Sequence, residues 1–266
     1  MSHAINSDSL KVLLKEFWCT PMDAYLRAFE VSIWKNIRFK RPVLDIGCGN
    51  GKMDAYIFSN KVIDVGLDPS RKSIAIARKN KLFKDVVVAS AEKIPFKNKH
   101  FSTVVLNSTL EHIKSDEKVV CEISRVLKIG GKLYFTTTTD KLNDALRELI
   151  NNRIAVENYN KRAEHFHYRS MSEWKNILEK EGFNISKHNS YFSKCDLKIH
   201  MTLFKMFTYK FRGRELWSYL KDSRFSKYLP KTIISDIEFV IINYFSNRCN
   251  KRSGELWCYI EAVKIK

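Results

Sequence analysis

An aspartate and three glycines stand close together early in the chain. Asp45 lies in a short apolar segment, residues 43–46, and Gly47, Gly49 and Gly51 follow at alternate positions. Glycine permits a positive φ and, lacking a side chain, lets a ligand approach the main chain. A carboxylate in an apolar strand is costly unless it has a charged or hydrogen-bonding partner. We therefore predict a ligand cradle at the end of this strand, with the partner of Asp45 belonging to the site.

A second carboxylate ends the next apolar segment. Asp68 closes residues 61–68, seventeen positions beyond Gly51. At the carboxyl end of a strand it can accept hydrogen bonds from both hydroxyls of a ribose. Dinucleotide-binding domains also begin strand, glycine loop, helix, but their G-x-G-x-x-G fingerprint requires glycine where Lys52 stands. This departure counts against a nicotinamide dinucleotide.

The elements that position these residues alternate along the chain. Apolar segments predict strands over 43–46, 61–68, 85–89, 101–106, 132–137, 183–188 and 256–265. Helical spacing predicts helices over 9–19, 22–37, 52–59, 70–80, 115–128 (ended by Gly130 and Gly131), 140–158 and 172–182. Parallel strands need crossovers of helix length, so the pattern indicates an α/β fold. The expected architecture is a Rossmann-like, mostly parallel sheet of seven strands with helices on both faces.

About sixty residues separate the last two predicted strands, far more than a hairpin needs. We expect three parts. Residues 1–40 form N-terminal helices that pack on or cover the core, residues 41–192 and 254–266 form the core, and residues 193–253 form an inserted helical subdomain.

The chain has 266 residues, 44% of them hydrophobic, and a net charge of +18. No run approaches the eighteen or so apolar residues that span a bilayer, and residues 1–8 lack the layout of a signal peptide. The six cysteines are scattered without a Cys-x-x-Cys pair, which predicts neither a metal site nor a disulfide framework. These features predict a cytoplasmic protein.

Five segments of the chain resemble the motifs of one enzyme family. They are Val43–Gly51, Val65–Asp68, Ala91–Phe96, Leu110–Ile113 and Leu127–Gly131. In order and spacing they resemble class I S-adenosylmethionine-dependent methyltransferases, specifically the type 11 group. The resemblance covers residues 40–140 and implies S-adenosyl-L-methionine as the cofactor.

The resemblance also implies a set of cofactor contacts. Asp45 would engage the amino group of the cofactor, the main chain from Gly47 through Cys48 and Gly49 to Gly51 would border its methionine part, and Asp68 would take the ribose hydroxyls. The remaining contacts would fall to Pro69, Ser90, Ala91, Glu92 and Asn107. Ser90 departs from the family, which usually has an aspartate there, and a hydroxyl is the weaker acceptor.

Methyl transfer needs a general base only when the acceptor must lose a proton early. His112, after the fourth strand, is the first candidate for that base, and His167 is the second. The alternative, that both histidines are structural, stays open. No metal is expected.

A basic and aromatic segment indicates where the methyl acceptor would bind. Residues 194–231 carry ten basic and three acidic side chains interleaved with aromatic residues. One interpretation is a helical cover over the acceptor pocket, and another is docking on an anionic membrane surface to reach a lipid-linked acceptor, such as a saccharide or a quinone precursor. RNA binding is a third interpretation. The predicted function is methyl transfer to a small-molecule or lipid-linked acceptor, with RNA methylation or a catalytically inactive, cofactor-binding partner protein as alternatives.

Overall fold

The computed structural model describes residues 5–59, 61–79, 81–211, 213–215, 218, 231–249 and 254–266. The chain divides into two compact units. The first combines residues 1–33 with 191–254, and the second combines residues 34–190 with 255–266. The predicted cradle lies in the second unit.

The second unit is built on a seven-stranded sheet. Its strands are β1 (Val43–Ile46), β2 (Ile63–Asp68), β3 (Phe83–Val88), β4 (Phe101–Asn107), β5 (Leu127–Thr138), β6 (Phe183–Tyr191) and β9 (Trp257–Lys264). They lie in the order β3-β2-β1-β4-β5-β9-β6. β1 to β5 pair in parallel, and β9 is antiparallel to β5. The predicted fold class, a mostly parallel sheet of Rossmann-like topology, is confirmed.

Helices connect the strands of this unit. They are α3 (Asp54–Ile57), α4 (Arg71–Ala77), α5 (Asp116–Val126), α6 (Lys141–Ile150), α7 (Arg153–Ala163) and α8 (Met171–Lys180), with a 3₁₀ turn over Leu110–His112. The strand β1 feeds the glycine loop and α3, and β4 feeds the 3₁₀ turn. Both segments therefore leave the carboxyl ends of adjacent parallel strands, at the same edge of the sheet.

Alternate strand residues face two separate packing layers. On one face, Leu44, Val104 and Phe135 pack in a cluster with apolar residues of α5 and α8, including the fully buried Trp174. The other face carries a group of aromatic rings in mutual contact, mostly edge-on: Trp34, Phe39, Phe58, Tyr134 and Tyr259. Because both faces are covered, the central strands β1 and β4 are buried at nearly every position.

Two element boundaries differ from the predictions. Gly130 and Gly131 do not end a helix, because α5 stops at Val126 and both glycines lie inside β5. The register of β4 against β5 shifts between Phe101 and Thr103, and Gly130 takes a φ of 74° there. The glycines accommodate this irregularity of the ladder.

The predicted helix over 140–158 is two helices. α6 ends at Ile150 and is followed by its C-cap Asn151, which adopts φ 46°. α7 begins after Asn152, whose side chain accepts from the main chain of Ala155. Both residues suit these places, since asparagine tolerates the left-handed region and caps helix starts.

The first unit contains α1 (Ser7–Glu16), α2 (Pro21–Trp34, whose last residue belongs to the second unit), α9 (Lys194–Phe207) and α10 (Lys231–Ser246). Two two-residue strands, β7 (Lys210–Phe211) and β8 (Arg214–Glu215), pair with each other after α9. The hydroxyl of Tyr25 donates to Asp196 at 2.7 Å, so N-terminal and inserted residues share one interior.

The prediction that the cysteines form no disulfide is wrong for one pair. Cys195 and Cys249, 54 residues apart in sequence, are joined by a disulfide within the first unit. Spacing along the chain could not reveal it, because a disulfide depends on the distance between the two Cα atoms, here 6.1 Å. No helix among the described residues is both long enough and apolar enough to cross a membrane.

A buried ion pair fixes the start of α5, and its loss should destabilise the second unit. Asp116 is almost fully buried and accepts two hydrogen bonds from Arg169, at 2.6 and 2.7 Å. We expect Asp116→Ala to lower the free energy of unfolding by about 2 kcal/mol, because these are hydrogen bonds between charged groups. Urea denaturation measures this change.

Glu117→Ala is the matched control. Glu117 also stands in the first turn of α5, but it is half exposed and lies 3.7 Å from Arg169. Its loss should cost less than about 0.5 kcal/mol. Equal effects of the two substitutions would contradict the assignment.

Candidate functional site

The glycine loop is held against the end of the neighbouring strand. Gly47, Gly49 and Gly51 all have positive φ, at 81°, 52° and 72°. The main-chain N–H groups of Gly47 and Cys48 both donate to the carbonyl of Leu67, at 2.7 and 3.2 Å. The loop therefore turns over the end of β2 in a conformation that favours glycine at each of the three positions.

The three glycines do not have the same neighbours. A Cβ at Gly47 would lie 2.5 Å from the Thr109 side chain, so the protein itself excludes a larger residue there. A Cβ at Gly49 would meet no atom within 4 Å. Open space therefore lies beside the main chain at Gly49, as a ligand cradle requires.

Asp68 ties the loop to β2 through its side chain. Its Oδ2 accepts from the N–H of Gly49 at 3.0 Å, and its Oδ1 accepts from the N–H of Ser70 at 2.8 Å. Each carboxylate oxygen has a second lone pair. Asp68 is thus held rigidly and keeps acceptor capacity, and its role toward a ribose stays a prediction.

Asp45 is buried beside a second carboxyl group. It is 2% exposed, and among the described residues its Oδ2 has no hydrogen-bond partner. Burial raises the pKa of Asp45 well above its usual range, and Asp54, which is hydrogen-bonded to it, and Asp68 raise it further. A cation beside this pair would stabilise the charged form that burial disfavours.

The pKa of the Cys48 thiol is affected by the same group of acidic side chains. Burial raises the pKa of Cys48, and the carboxylates of Asp45, Asp54 and Asp68 raise it further. The loop is therefore bordered by three acidic side chains, two of them buried. A nucleophilic thiolate is disfavoured here, whereas a positively charged ligand group is favoured.

Asn107 ends β4 with a fixed side chain. Its Oδ1 accepts from the indole N–H of Trp34 at 2.7 Å and from the hydroxyl of Thr136 at 3.0 Å. Two donors on one carbonyl leave the amide group with a single orientation. Contact of Asn107 with a cofactor stays a prediction.

The predicted adenine contacts have mixed surroundings. Pro69 and Ser90 are exposed, and the Ser90 hydroxyl accepts from the N–H of Glu92 at 3.2 Å. Ala91 is buried in the core cluster, and Glu92 lies 3.7 Å from Lys118. Pro69 directly follows Asp68 at the end of β2. Ser90, Ala91 and Glu92 follow β3, which pairs with β2, so they come after the strand beside the one that carries Asp68.

The two histidines predicted as bases lie in different environments. His112 is exposed, with its ring 5.0 Å from the ring of His165 and its Nδ1 3.2 Å from the carbonyl of Glu164. His167 instead places Nε2 2.8 Å from the carbonyl of Lys114, a contact in which that nitrogen must donate. The fold thus groups His112 with His165 and directs His167 elsewhere.

Several residues of the site gave no sequence signal. Asp54 stands in the first turn of α3, where acidic residues are common for electrostatic reasons alone. Thr109 contacts Gly47 across 62 residues of sequence, and Trp34 falls in a helix whose spacing indicated only packing. Thr109 and Trp34 act through partners distant in sequence, and Asp54 acts through Asp45 across the glycine loop.

The similarity of this chain to a known protein family is confined to the part that contains the glycine loop. Residues 44–135 match the model of a family described as "Methyltransferase domain". Residues 44–135 are a methyltransferase domain. This methyltransferase domain contains the glycine loop, Asp68 and the turn after β4, and its cofactor is S-adenosylmethionine, as predicted.

Relatives resemble the methyltransferase domain rather than the whole chain. The chain is 33% identical over 120 residues to the ubiquinone biosynthesis O-methyltransferase of Pelagibacter ubique, covering 44% of this chain and 46% of that protein. It is 37% identical over 112 residues to the malonyl-[acyl-carrier protein] O-methyltransferase of Enterobacter lignolyticus, covering 42% and 43%. The chain thus spans less than half the length of these relatives.

Solved structures share the fold across most of the chain. A phosphoethanolamine N-methyltransferase of Haemonchus contortus, solved with S-adenosylhomocysteine, aligns with a TM-score of 0.57 at 17% identity, covering 97% of this chain and 60% of that one. The cyclase SpnF aligns with a TM-score of 0.54 at 16% identity, covering 91% and 80%. At such identity the likeness shows the fold alone.

The residues present fit S-adenosylmethionine. The cofactor carries an ammonium group, which suits the buried Asp45 oxygen that lacks a partner. Open space at Gly49 leaves room beside the main chain. Asp45, Gly49 and Asp68 would hold the group, as the resemblance to the family motifs also implies.

Gly49→Ala tests whether this open space receives the cofactor. The methyl group would meet no protein atom, so the folded protein should pay only about 1 kcal/mol for a positive φ. We expect S-adenosylmethionine to bind at least tenfold more weakly in calorimetry, because the methyl group would occupy the cradle.

Gly130→Ala is the control for backbone strain. Gly130 also has a positive φ, 74°, and open space at its Cβ position. Its variant should lose similar stability and keep the affinity of the parent. Equal affinities in all three proteins would place the cofactor away from Gly49.

Asp45→Asn tests the charge that the cradle offers. Because the pKa of Asp45 is raised, its carboxyl is protonated at low pH and must lose a proton to pair with an ammonium. Affinity for S-adenosylmethionine should therefore rise as the pH increases from the ordinary titration range of a carboxyl group toward neutrality, with proton release on binding. In Asp45→Asn the affinity should be lower and nearly independent of pH.

Calorimetry in buffers of different ionisation enthalpy measures the released protons. Asp85→Asn, at an exposed position in β3, should retain the pH dependence of the parent. A parent affinity that falls over this pH range would contradict the assignment.

Proposed function

We propose that the protein transfers the methyl group of S-adenosylmethionine to a small-molecule or lipid-linked acceptor. The observation that carries this proposal is the buried Asp45–Asp54 pair beside a glycine loop with open space at Gly49. A pair of buried carboxyl groups is costly to ionise without a cation, and the ammonium of the cofactor supplies one.

Each residue of the cradle has a positioning task in that reaction. Asp68 holds the N–H of Gly49 in place, Thr109 fills the space over Gly47, and the Asp45–Asp54 pair fixes the charged end of the cofactor. When bound, the cofactor supplies an electrophilic methyl group on a sulfonium. Transfer of that group would need an acceptor held in line with it and shielded from water, so alignment and exclusion of water are the main contributions of the protein.

The names of the relatives support a small or carrier-linked acceptor. One takes part in ubiquinone biosynthesis, and the other acts on malonyl-[acyl-carrier protein]. Both are O-methyltransferases by name, so an oxygen acceptor is consistent with the proposal. The general-base roles of His112 and His167 stay predictions.

The helix α10 supports a lipid-linked acceptor. Its solvent-exposed side carries an apolar stripe: Ile233, Ile237, Val240, Tyr244 and Phe245 are each between 40% and 65% exposed. Thr232 and Asp236 are exposed beside this stripe. The same helix turns Ser235 and Glu238 inward. An exposed apolar stripe of this size is typical of a docking surface.

Basic groups accompany this stripe. Lys231 begins α10, and the guanidinium of Arg248 lies 4.0 Å from the centre of the Tyr244 ring. Together with a net charge of +18, they favour an anionic surface over a neutral one. We infer that α10 docks on anionic membrane to reach the acceptor.

Much of the basic and aromatic segment, residues 194–231, contributes no structural evidence for membrane docking. Arg212, Trp217, Tyr219, Arg224, Phe225, Lys227 and Tyr228 lie outside the described residues. Of the described aromatic residues, Tyr209 and Phe211 are exposed, and Phe207 is buried. Membrane docking therefore rests on α10.

The test joins methyl transfer with membrane binding. Protein and S-adenosylmethionine with a labelled methyl group are incubated with lipid, water-soluble and RNA fractions of a cell extract. We expect label in the lipid fraction, with Asp45→Asn at background. Label confined to RNA would replace the proposal with RNA methylation, and cofactor binding without label anywhere would identify a non-catalytic protein.

Val240→Glu tests the docking surface in the same assay. The parent should sediment with phosphatidylcholine vesicles that contain phosphatidylglycerol and not with pure phosphatidylcholine. Val240→Glu should lose sedimentation and lipid labelling, because a charge enters the apolar stripe. Ile154→Glu, at another exposed apolar position, is the matched control and should behave as the parent. Parent-like binding by Val240→Glu would contradict docking through α10.

A further inference from the structure

Two histidines and a glutamate meet just after β4. Glu111 and His112 lie in the 3₁₀ turn, and His165 follows α7, 53 positions after His112. One nitrogen of each ring and one carboxylate oxygen all lie within 4.8 Å of one another. The cradle residues play no part in this cluster.

We propose that Glu111, His112 and His165 bind a divalent transition-metal ion. Two imidazoles and one carboxylate form a three-ligand set used by zinc and by other divalent first-row metals, with further positions open. Imidazole ligands favour such ions over magnesium or calcium, which prefer oxygen. In a tetrahedral site the ligand atoms would be about 3.4 Å apart, so a bound ion would draw the rings inward by about 1 Å.

The hydrogen bond at Nδ1 of His112 sets a tautomer that suits a metal-binding histidine. Its Nδ1 lies 3.2 Å from the carbonyl of Glu164, an acceptor, so Nδ1 carries the proton. The lone pair is then on Nε2. Such a bond from the other ring nitrogen to a carbonyl is the usual support of a metal-bound histidine.

His165 has the equivalent support. The hydroxyl of Tyr168 donates to Asn160 at 2.8 Å, so its oxygen accepts from Nδ1 of His165 at 3.3 Å. Nε2 of His165 therefore carries its lone pair as well. Asn160 in turn donates to Asn143 at 3.4 Å, which continues the chain of polar contacts into α6.

Backbone contacts hold the two halves of the cluster together. The N–H of Phe166 donates to the carbonyl of Glu111 at 2.8 Å, so the residue after His165 is fixed to the turn that carries the other two ligands. Glu111 is 1% exposed, and a dication would lower the cost of a charged carboxylate there. The two histidines are more exposed, which gives an ion a path from solvent.

This assignment gives His112 a different task from the predicted general base. A ring nitrogen that binds a metal has no lone pair for a proton. His167 does not join the cluster, because its Nε2 faces the carbonyl of Lys114. It therefore serves as a control from the same loop.

Metal binding is measured on the untagged protein, with Co²⁺ as the spectroscopic probe and Zn²⁺ for stoichiometry. We expect one equivalent of each ion, and a visible Co²⁺ band without the near-ultraviolet absorption of a thiolate ligand. His165→Ala and Glu111→Gln should abolish the band, whereas His167→Ala should keep it. Tyr168→Phe, which removes only the acceptor of the His165 Nδ1 proton, should weaken binding about tenfold.

Circular dichroism and thermal melting keep folding separate from binding. Zn²⁺ should raise the melting temperature of the parent and of His167→Ala but not of His165→Ala. The proposal is overturned if the parent binds neither ion, if His165→Ala and Glu111→Gln bind like the parent, or if the Co²⁺ spectrum shows thiolate ligation. None of these readouts depends on methyl transfer.

Discussion

The attachment of the glycine loop to the end of β2 is the contact on which the cradle depends. Two N–H groups of the loop share the carbonyl of Leu67, and a third is held by the Asp68 side chain. These bonds satisfy a main chain that has left the sheet ladder and fix glycines with positive φ. Because β1 and β2 are parallel neighbours, the carboxyl end of one strand supplies the acceptors for the loop that leaves the other.

This geometry brings negative charge together at one place. Asp45 belongs to β1, Asp54 to α3 and Asp68 to β2, so three consecutive elements each contribute one carboxyl group. In the low dielectric of the interior such a group is stabilised only by a cation or by protons. The raised pKa of Asp45 and the raised pKa of the Cys48 thiol have this common origin. The site is electrostatically prepared for a cationic ligand before one arrives.

The turn after β4 extends the chemistry of the same sheet edge. Thr109 reaches back to Gly47, while Glu111 and His112, only a few residues later, meet His165. One short segment thus supports the cofactor loop and supplies two of three candidate metal ligands. The two sites remain chemically separate, since one is acidic and suits an ammonium, and the other offers imidazole nitrogen.

The sequence by itself determined the fold class, the cradle and its family. The features that carried these predictions are local: apolar strand segments, glycines at alternate positions, and acidic residues within β1 and at the end of β2. Local features can be recognised directly from the order of residue types along the chain. The sequence pattern also misplaced some boundaries, as at Gly130 and Gly131, since a glycine pair ends a helix in one context and relieves an irregular strand in another. Strand pairing, which the pattern does not contain, decided between the two.

Only the tertiary structure decided which distant residues meet. Four contacts join residues that the sequence separates. Thr109 explains the glycine at position 47, and Asp54 lies beside Asp45. His165 lies beside His112, and Cys195 forms a disulfide with Cys249. Each such contact depends on distances of a few ångströms between side chains carried by different elements. Those distances follow from how the elements pack, and residue spacing along the chain does not encode them directly.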